Sequence, residues 1–224
     1  MLSLAEKLML IALHDENGSI ISSSTTALPY AIAGTLIVEL HLKGKITLTN
    51  GKVEVVDKTP AGDELLDKAL ELIMNSKKQR DVQYWVCQIV RKIEKLNLTV
   101  IESLIRKEIL RKENHKILWV IPTKRYPIVN VAPEYEIRGR IHQILIQKDT
   151  PNEEEIALLS LIKACDLLNV LFPKTERKMA KARLKKLIEN EVVGKAVSSV
   201  VEEILIAVTV VIAASVLAST TNTK

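Results

Sequence analysis

A long apolar run near the C-terminal end is the feature that most constrains the fold. Ile204–Ala218 reads ILIAVTVVIAASVLA, and only Thr209 and Ser215 interrupt it. The length favours a helix, although the many β-branched residues keep a buried strand as an alternative. A helix without a polar face has to be covered on every side in a soluble protein. We therefore expect the rest of the chain to fold around this helix.

A C-terminal membrane anchor is the other reading of the same run. A transmembrane helix needs about 20 apolar residues, whereas this run is shorter and follows directly on Glu202 and Glu203. We expect a core helix and keep the anchor as an alternative.

Composition predicts a single globular domain over residues 1–224. Hydrophobic residues make up 47% of the chain and charged residues 26%, which is typical of a folded protein. Aromatic residues make up only 3%, so the core should be aliphatic. Cys87 and Cys165 form no CxxC pair, and no signal peptide precedes Leu2. These features favour a cytoplasmic protein.

The positive charge is concentrated in the middle of the chain. Between Lys77 and Arg125 there are thirteen Lys/Arg and five Asp/Glu, a net charge of +8, whereas the whole chain carries +5. The remaining residues are therefore net negative, at −3. A basic middle region indicates a polyanionic partner, either anionic lipid or nucleic acid. A solvated Lys-rich surface is the alternative.

Local patterns predict a mainly α fold with two or more short β-hairpins. Ser3 and Glu6 form a capping box for a first helix. Asn50-Gly51 joins two alternating runs, Lys45–Thr49 and Lys52–Val56, and predicts a hairpin with a type I′ turn.

Local patterns also predict a further helix start and a second hairpin. Thr59-Pro60 has the pattern of a cap followed by proline at the first helical position, so a helix is expected to begin there. A second hairpin is expected from Ile109–Lys112 and Lys116–Ile121, around Glu113–His115.

The sequence shows no catalytic or metal-binding motif. The four histidines, His14, His41, His115 and His142, have no His or Cys partner at metal-ligand spacing. Neither a glycine-rich phosphate loop nor a GxSxG nucleophile motif occurs. These observations favour a binding or scaffold protein over an enzyme and indicate no cofactor.

Several segments, taken in order, resemble one known family. They are Leu2–Gly18 (LSLAEKLMLIALHDENG), Ile37–Ile46 (IVELHLKGKI), Thr59–Leu70 (TPAGDELLDKAL), Val82–Trp85 (VQYW), Ser103–Leu110 (SLIRKEIL), Cys165–Pro173 (CDLLNVLFP) and Lys178–Glu189 (KMAKARLKKLIE). Together with the apolar C-terminal run they are similar to the Golgi phosphoprotein 3 family, including its bacterial relatives.

The resemblance implies a helical domain around a hydrophobic helix, in a peripheral membrane protein. Eukaryotic members of that family bind phosphatidylinositol 4-phosphate and hold Golgi enzymes by their tails. A projecting hairpin, which supports membrane contact or self-association there, falls here at Ile117–Asn130. Its apolar groups are Trp119, Ile121, Tyr126 and Ile128, with Pro127 between the last two. Lys124 and Arg125 are then placed to meet anionic headgroups, at about 1 kcal/mol each.

The family's lipid pocket is only partly matched. Its Trp aligns near Ser24 and one pocket Arg near Ala33. Two further arginines align with Glu94 and Asn97 without a gap, or with Arg91, Lys92 or Lys95 when a gap is allowed. We therefore expect headgroup binding through Arg91, Lys92, Lys95, Lys124 and Arg125, by charge more than by stereospecific recognition of phosphatidylinositol 4-phosphate.

Two other functions remain open at this point. A protein-interaction scaffold, or a homo-oligomer formed through the hairpin, is compatible with the lipid hypothesis. Nucleic-acid binding is disfavoured: the helix and hairpin of Leu36–Val56 resemble a winged helix, but residues Ala27–Leu42 offer only Glu39 and His41 as strongly polar side chains.

Overall fold

The structure, a computed structural model, is mainly helical, as predicted, with short antiparallel strand pairs. It describes residues 1–15, 17–117, 121–188 and 198–221, and only the backbone of residues 115–117 and 121–123. The helices are α1 (Leu4–Ile11), α2 (Leu28–Leu42), α3 (Glu64–Met74), α4 (Val82–Lys92), α5 (Leu96–Arg106), α6 (Ala132–Leu145), α7 (Glu153–Ala164), α8 (Leu168–Leu171), α9 (Lys174–Ile188) and α10 (Ser199–Thr221). The strands are β1 (Ile46–Thr49), β2 (Lys52–Val55), β3 (Arg80–Asp81), β4 (Glu113–Ile117) and β5 (Ile121–Arg125).

Helix α2 is the centre of the core. Every residue from Ala31 to Val38 is buried, and α1, α3, α4, α5, α7 and α10 pack around it. Its one buried hydroxyl, Thr35 Oγ1, donates to the Ile32 carbonyl at 2.7 Å, so no polar group of the side chain is left unpaired. The helix covered on every side is therefore α2, rather than the C-terminal helix.

The apolar C-terminal run forms a helix, α10, as expected, but only one of its faces is buried. Val208 and Val211 are 0% and 8% exposed and belong to the face that packs on α2, α4 and α7. On the opposite face Ile206 is 60% exposed and Leu217 68%. The expectation that this helix is covered on every side is therefore wrong. The reason is that α10 lies at the edge of the helical body, where neighbours reach only one side.

The capping box predicted for α1 is confirmed. Glu6 N–H donates to Ser3 Oγ at 3.3 Å, and Ser3 N–H donates to Glu6 Oε2 at 2.8 Å. The predicted helix start at Thr59-Pro60 is wrong. Helix α3 begins at Glu64, where Asp63 accepts from the first-turn amides, because a carboxylate is a better N-cap than threonine.

The first predicted hairpin is confirmed and the second is displaced. Strands β1 and β2 pair from Ile46↔Val55 to Thr49↔Lys52, with Asn50 and Gly51 both at positive φ in the turn. The second hairpin consists of β4 and β5, paired from Glu113↔Arg125 to Ile117↔Ile121. The expected strands at residues 109–112 and 116–121 are therefore wrong, because residues 109–111 bond instead to Pro127–Asn130.

The helices of the core run between two ends of the molecule. The three-stranded sheet β1–β2–β3 lies at one of them, which we call the sheet end. Helix α2 leads into this sheet at β1, and α4 leaves it directly after β3. Glu203 of α10 approaches Gly51 in the β1–β2 turn, whereas Val208 packs on Gly34 in the middle of α2. Helix α10 therefore runs antiparallel to α2 and, like α4, leads away from the sheet.

Candidate basic lipid-binding surface

Helix α4 carries three of the predicted headgroup-binding residues to the end of the molecule opposite the sheet. Arg91 and Lys92 form its last turn, and Lys95 follows in the connection to α5; all three are exposed. Lys95 has positive φ, and its carbonyl accepts from the Thr99 amide at 3.0 Å. The chain thus turns sharply here, which leaves the three cations in water.

The base of the second hairpin lies toward the same end. Leu4 N–H donates to Glu39 Oε2 near the end of α2, so the start of α1 lies at the sheet end. The turn after α1 is therefore at the opposite end, and its Gly18 carbonyl accepts from the Tyr126 amide at 3.2 Å. Tyr126 follows Lys124 and Arg125 directly. We call the cations Arg91, Lys92, Lys95, Lys124 and Arg125 the basic end.

The cations of the basic end are not neutralised by ion pairs with described carboxylates. Among the side chains that the structure describes, none of the five contacts a carboxylate; Arg91 instead donates to Gln88 Oε1 at 2.8 Å. Elsewhere in the described part of the chain some cations are paired, whereas others, such as Lys52, Lys58, Lys77 and Lys78, form no ion pair. Paired examples are Lys45–Asp57 at 2.5 Å and Lys107–Glu6 at 2.6 Å. Five cations that form no ion pair with a described carboxylate therefore lie toward one end, and their charges can attract an anionic partner.

The apolar residues predicted for the hairpin occupy different positions. Trp119 and the side chain of Ile121 lie outside the described residues. Tyr126 and Ile128 are half-buried, pack against the core, and lie beyond the last residue of β5. Burial raises the pKa of the Tyr126 hydroxyl, with a smaller contribution from Glu102. Their position suits attachment of the hairpin to the body, and insertion of these residues into a membrane stays a prediction.

The positions aligned with the family's lipid pocket do not form one here. Ser24 is fully buried, and its hydroxyl donates to the Ile21 carbonyl at 2.8 Å. Ala33 is 0% exposed inside α2. Glu94 is exposed next to Lys95 and carries the wrong charge for a phosphate. Ser24, Ala33 and Glu94 thus supply neither a stacking ring nor a guanidinium to a headgroup.

Sequence analysis missed further cations at the same end. The Ser198 amide donates to Glu153 Oε1 at 2.6 Å, so α7 and α10 begin side by side and run in the same direction. The last turn of α7 and the first turn of α9 therefore lie near the basic end and bring Lys163, Lys174 and Lys178. The basic amphipathic pattern of α9 was visible in the sequence, but its direction was not.

The described part of the chain shows neither an exposed recognition helix for nucleic acid nor a metal site. A winged-helix recognition helix has to enter the major groove, whereas α2 is enclosed by six other helices. Within the described ranges no group of three His, Cys, Asp or Glu residues could hold a metal ion.

Comparisons with known proteins identify the family. The family model described as Golgi phosphoprotein 3 (GPP34) matches residues 4–204. Vacuolar protein sorting-associated protein 74 of Eremothecium gossypii is 26% identical over 169 residues, which is 66% of this chain and 50% of that protein. The protein of the same name in Schizosaccharomyces pombe is 26% identical over 169 residues, 66% of this chain and 49% of that protein.

A VPS74-like protein of Dictyostelium discoideum is 24% identical over 160 residues, covering 65% of this chain and 61% of that protein. The chain thus matches about half to three fifths of the length of these relatives. The family model, in contrast, covers most of the present chain. This chain belongs to the Golgi phosphoprotein 3 family.

Proposed function

We propose that this protein is a peripheral membrane protein that binds anionic lipid headgroups through its basic end. The observation that carries the proposal is the gathering of Arg91, Lys92, Lys95, Lys124 and Arg125 at one end, without carboxylate partners among the described side chains. Family membership supports it, and no enzymatic step is part of it.

The expected selectivity is for charge. Each basic residue near an anionic membrane contributes about 1 kcal/mol, and this contribution does not depend on the shape of the headgroup. Buried Ser24 and Ala33 leave no room for a stacking ring or a guanidinium at the pocket positions. Phosphatidylinositol 4-phosphate and phosphatidylglycerol should therefore bind equally well when the vesicles carry equal charge.

Vesicle flotation tests the proposal. The protein should float with vesicles that contain phosphatidylglycerol and stay behind with phosphatidylcholine alone. Raising the salt from about 0.1 M to about 1 M shortens the Debye length from about 10 Å to about 3 Å and should release it. Equal binding to neutral and anionic vesicles, or binding that salt leaves unchanged, would contradict the proposal.

A matched pair of variants locates the surface. Replacement of Arg91, Lys92, Lys124 and Arg125 by Ala should weaken binding to anionic vesicles by roughly a thousand-fold, at about 1 kcal/mol for each charge. The control replaces four exposed lysines toward the sheet end, Lys52, Lys58, Lys77 and Lys78, by Ala. Both variants lose the same net charge, so equal effects would assign the attraction to overall charge and not to the basic end.

A further inference from the structure

Helix α10 leaves a continuous apolar stripe exposed. Ile206, Val210, Ala213 and Leu217 recur at the spacing of one helix face and are all exposed. Ile206, Val210 and Leu217 are 60%, 48% and 68% exposed, whereas Val208 on the opposite face is 0%. We call Ile206, Val210, Ala213 and Leu217 the apolar tail face. All four of these residues, and the remainder of α10 to Thr221, lie beyond residue 204, where the family match ends.

The C-terminal part of α10 also extends past its neighbours. Gly34 packs against Val208 and the two helices are antiparallel, so the start of α2 at Leu28 is level with Ala214, since both helices rise about 1.5 Å per residue. From Ala213 to Thr221 every residue except half-buried Ser215 is exposed. This projecting segment is about 13 Å long, close to the half-thickness of about 15 Å of a bilayer's hydrocarbon core.

The composition of α10 fits an apolar environment. No charged residue occurs between Ile204 and Thr221. Its hydroxyls are bonded within the helix: Thr209 Oγ1 donates to the Leu205 carbonyl at 2.8 Å, and Ser215 Oγ to the Ile212 carbonyl at 2.8 Å. Ser219, Thr220 and Thr221 make corresponding bonds to carbonyls in the preceding turn. Because these donors are satisfied internally, transfer out of water leaves none of them unpaired.

The charges around the apolar tail face indicate what covers it. A groove of about 510 Å³ runs between α10 and α7; Lys163 lines it near Val210, and Glu202 lines it near the start of α10. Helix α10 projects toward the basic end, where Lys174 and Lys178 of α9 are also exposed. The lysines lie toward the projecting end of α10, where an anionic bilayer supplies acyl chains to the stripe and negative headgroups to the lysines.

By length and composition α10 is the one helix in the described part of the chain that could cross a membrane. Its buried face nevertheless packs on α2, α4 and α7 from Val201 to Ile212. While that packing holds, only the projecting segment and the apolar tail face are exposed to the surroundings, and this length is too short to span about 30 Å.

We infer that the projecting end of α10 inserts into one leaflet of an anionic membrane while the lysines around it contact the headgroups. This assignment rests on the proposed membrane association and adds a second, apolar contact to it. The charges bring the protein to the surface, and the apolar tail face then makes part of the binding resistant to salt.

A fluorescent label at the tail tests the insertion in the full-length protein. In a Cys87→Ser background, in which the remaining thiol Cys165 is buried, an NBD label is placed on a Leu217→Cys variant. The matched control carries the label on Val56→Cys, which is 59% exposed near the sheet end. With phosphatidylglycerol vesicles the Leu217 label should shift to shorter wavelength and be quenched by lipids brominated in their acyl chains, whereas the Val56 label should do neither.

The outcomes separate this inference from the proposed function. Salt-sensitive vesicle binding with an unchanged Leu217 label would overturn insertion and leave headgroup binding intact. An absence of vesicle binding would overturn both. A Val216→Ser/Leu217→Ser variant should bind anionic vesicles about 10- to 100-fold more weakly at high salt, because two apolar side chains of the projecting segment no longer leave water. If this variant instead loses a dimer in light scattering and binds vesicles normally, the face is a self-association surface and insertion is wrong.

Discussion

Val208 of α10 lies directly on Gly34 of α2, so closely that a β-carbon at Gly34 would be 2.7 Å from Val208 Cγ1. This contact determines how near the C-terminal helix approaches the core. Gly34→Ala should therefore lower the free energy of unfolding by about 1–3 kcal/mol, as overpacked cores do. Urea denaturation followed by circular dichroism measures the change.

Gly139 in α6 is the matched control for Gly34. An added β-carbon there meets nothing within 4 Å, so Gly139→Ala should raise the free energy of unfolding by about 0.5–1 kcal/mol through helix propensity alone. If both substitutions have the same sign, the close packing of α10 on α2 is wrong.

Gly18 controls the attachment of the second hairpin. It has φ of +61°, and a β-carbon would lie 2.1 Å from the backbone carbonyl carbon of Tyr126. We expect Gly18→Ala to expose the hairpin base, seen as faster hydrogen exchange of the amides from Arg111 to Val129. Gly44→Ala also requires positive φ but meets no atom within 4 Å. It should cost about 1–2 kcal/mol of backbone strain and leave exchange in the hairpin unchanged.

Glu6 links the start of α1 to α5. Burial alone would raise the pKa of Glu6, but hydrogen bonds from Lys107, from the Ser3 amide and from Ser103 outweigh burial and lower it below 4.5. Its stabilisation is therefore complete above the unfolded-state pKa and is lost as the pH falls through the lowered folded-state pKa. We expect Glu6→Gln to cost about 1–3 kcal/mol at pH 7 and to flatten the acid limb of the stability curve.

The comparison for Glu6 is Glu102→Gln on the exposed side of α5. This surface change should stay within about 0.5 kcal/mol. Urea unfolding of both variants between neutral pH and about pH 3 distinguishes them, and parallel curves for Glu6→Gln and the parent protein would show that the network around Glu6 contributes nothing.

The two thiols should differ sharply in reactivity. Burial raises the pKa of Cys165 to about 12, whereas Cys87 is exposed and its pKa is raised more modestly, by partial burial and by Asp81. Since the thiolate is the reactive form, DTNB at about pH 8 should titrate one thiol in the native protein and both after denaturation. Cys87→Ser should remove the native reaction, and a reaction that persists in this variant would contradict the burial of Cys165.

Local signals in the sequence predicted features that depend on a few neighbouring residues. The capping box of Ser3 and Glu6 and the turn at Asn50-Gly51 are of this kind, and both are present. The start of α3 was predicted too early because Thr59 has another role: its hydroxyl lies 2.7 Å from Lys45 Nζ, beside Asp57. A residue fourteen positions away therefore decided whether threonine acts as a cap.

Features that depend on tertiary packing could not be predicted in the same way. The sequence of α10 is apolar on all sides, and only the positions of α2, α4 and α7 decide which side is covered. Similarly, the middle region of the chain was seen to be basic, but the gathering of Arg91 and Arg125 at one end follows from the directions of α1, α2 and α4. The sequence lists the basic residues, but the directions of these helices determine where the residues lie in the molecule.

The hydrogen bond from the Ser198 amide to Glu153 ties the entrance of α10 to the start of α7, and Val208 ties its middle to Gly34. Because α10 is held at these two points, it cannot rotate relative to the helical body. A surface that binds the projecting segment would therefore set the tilt of the whole body, with the Asn50-Gly51 turn facing away from that surface.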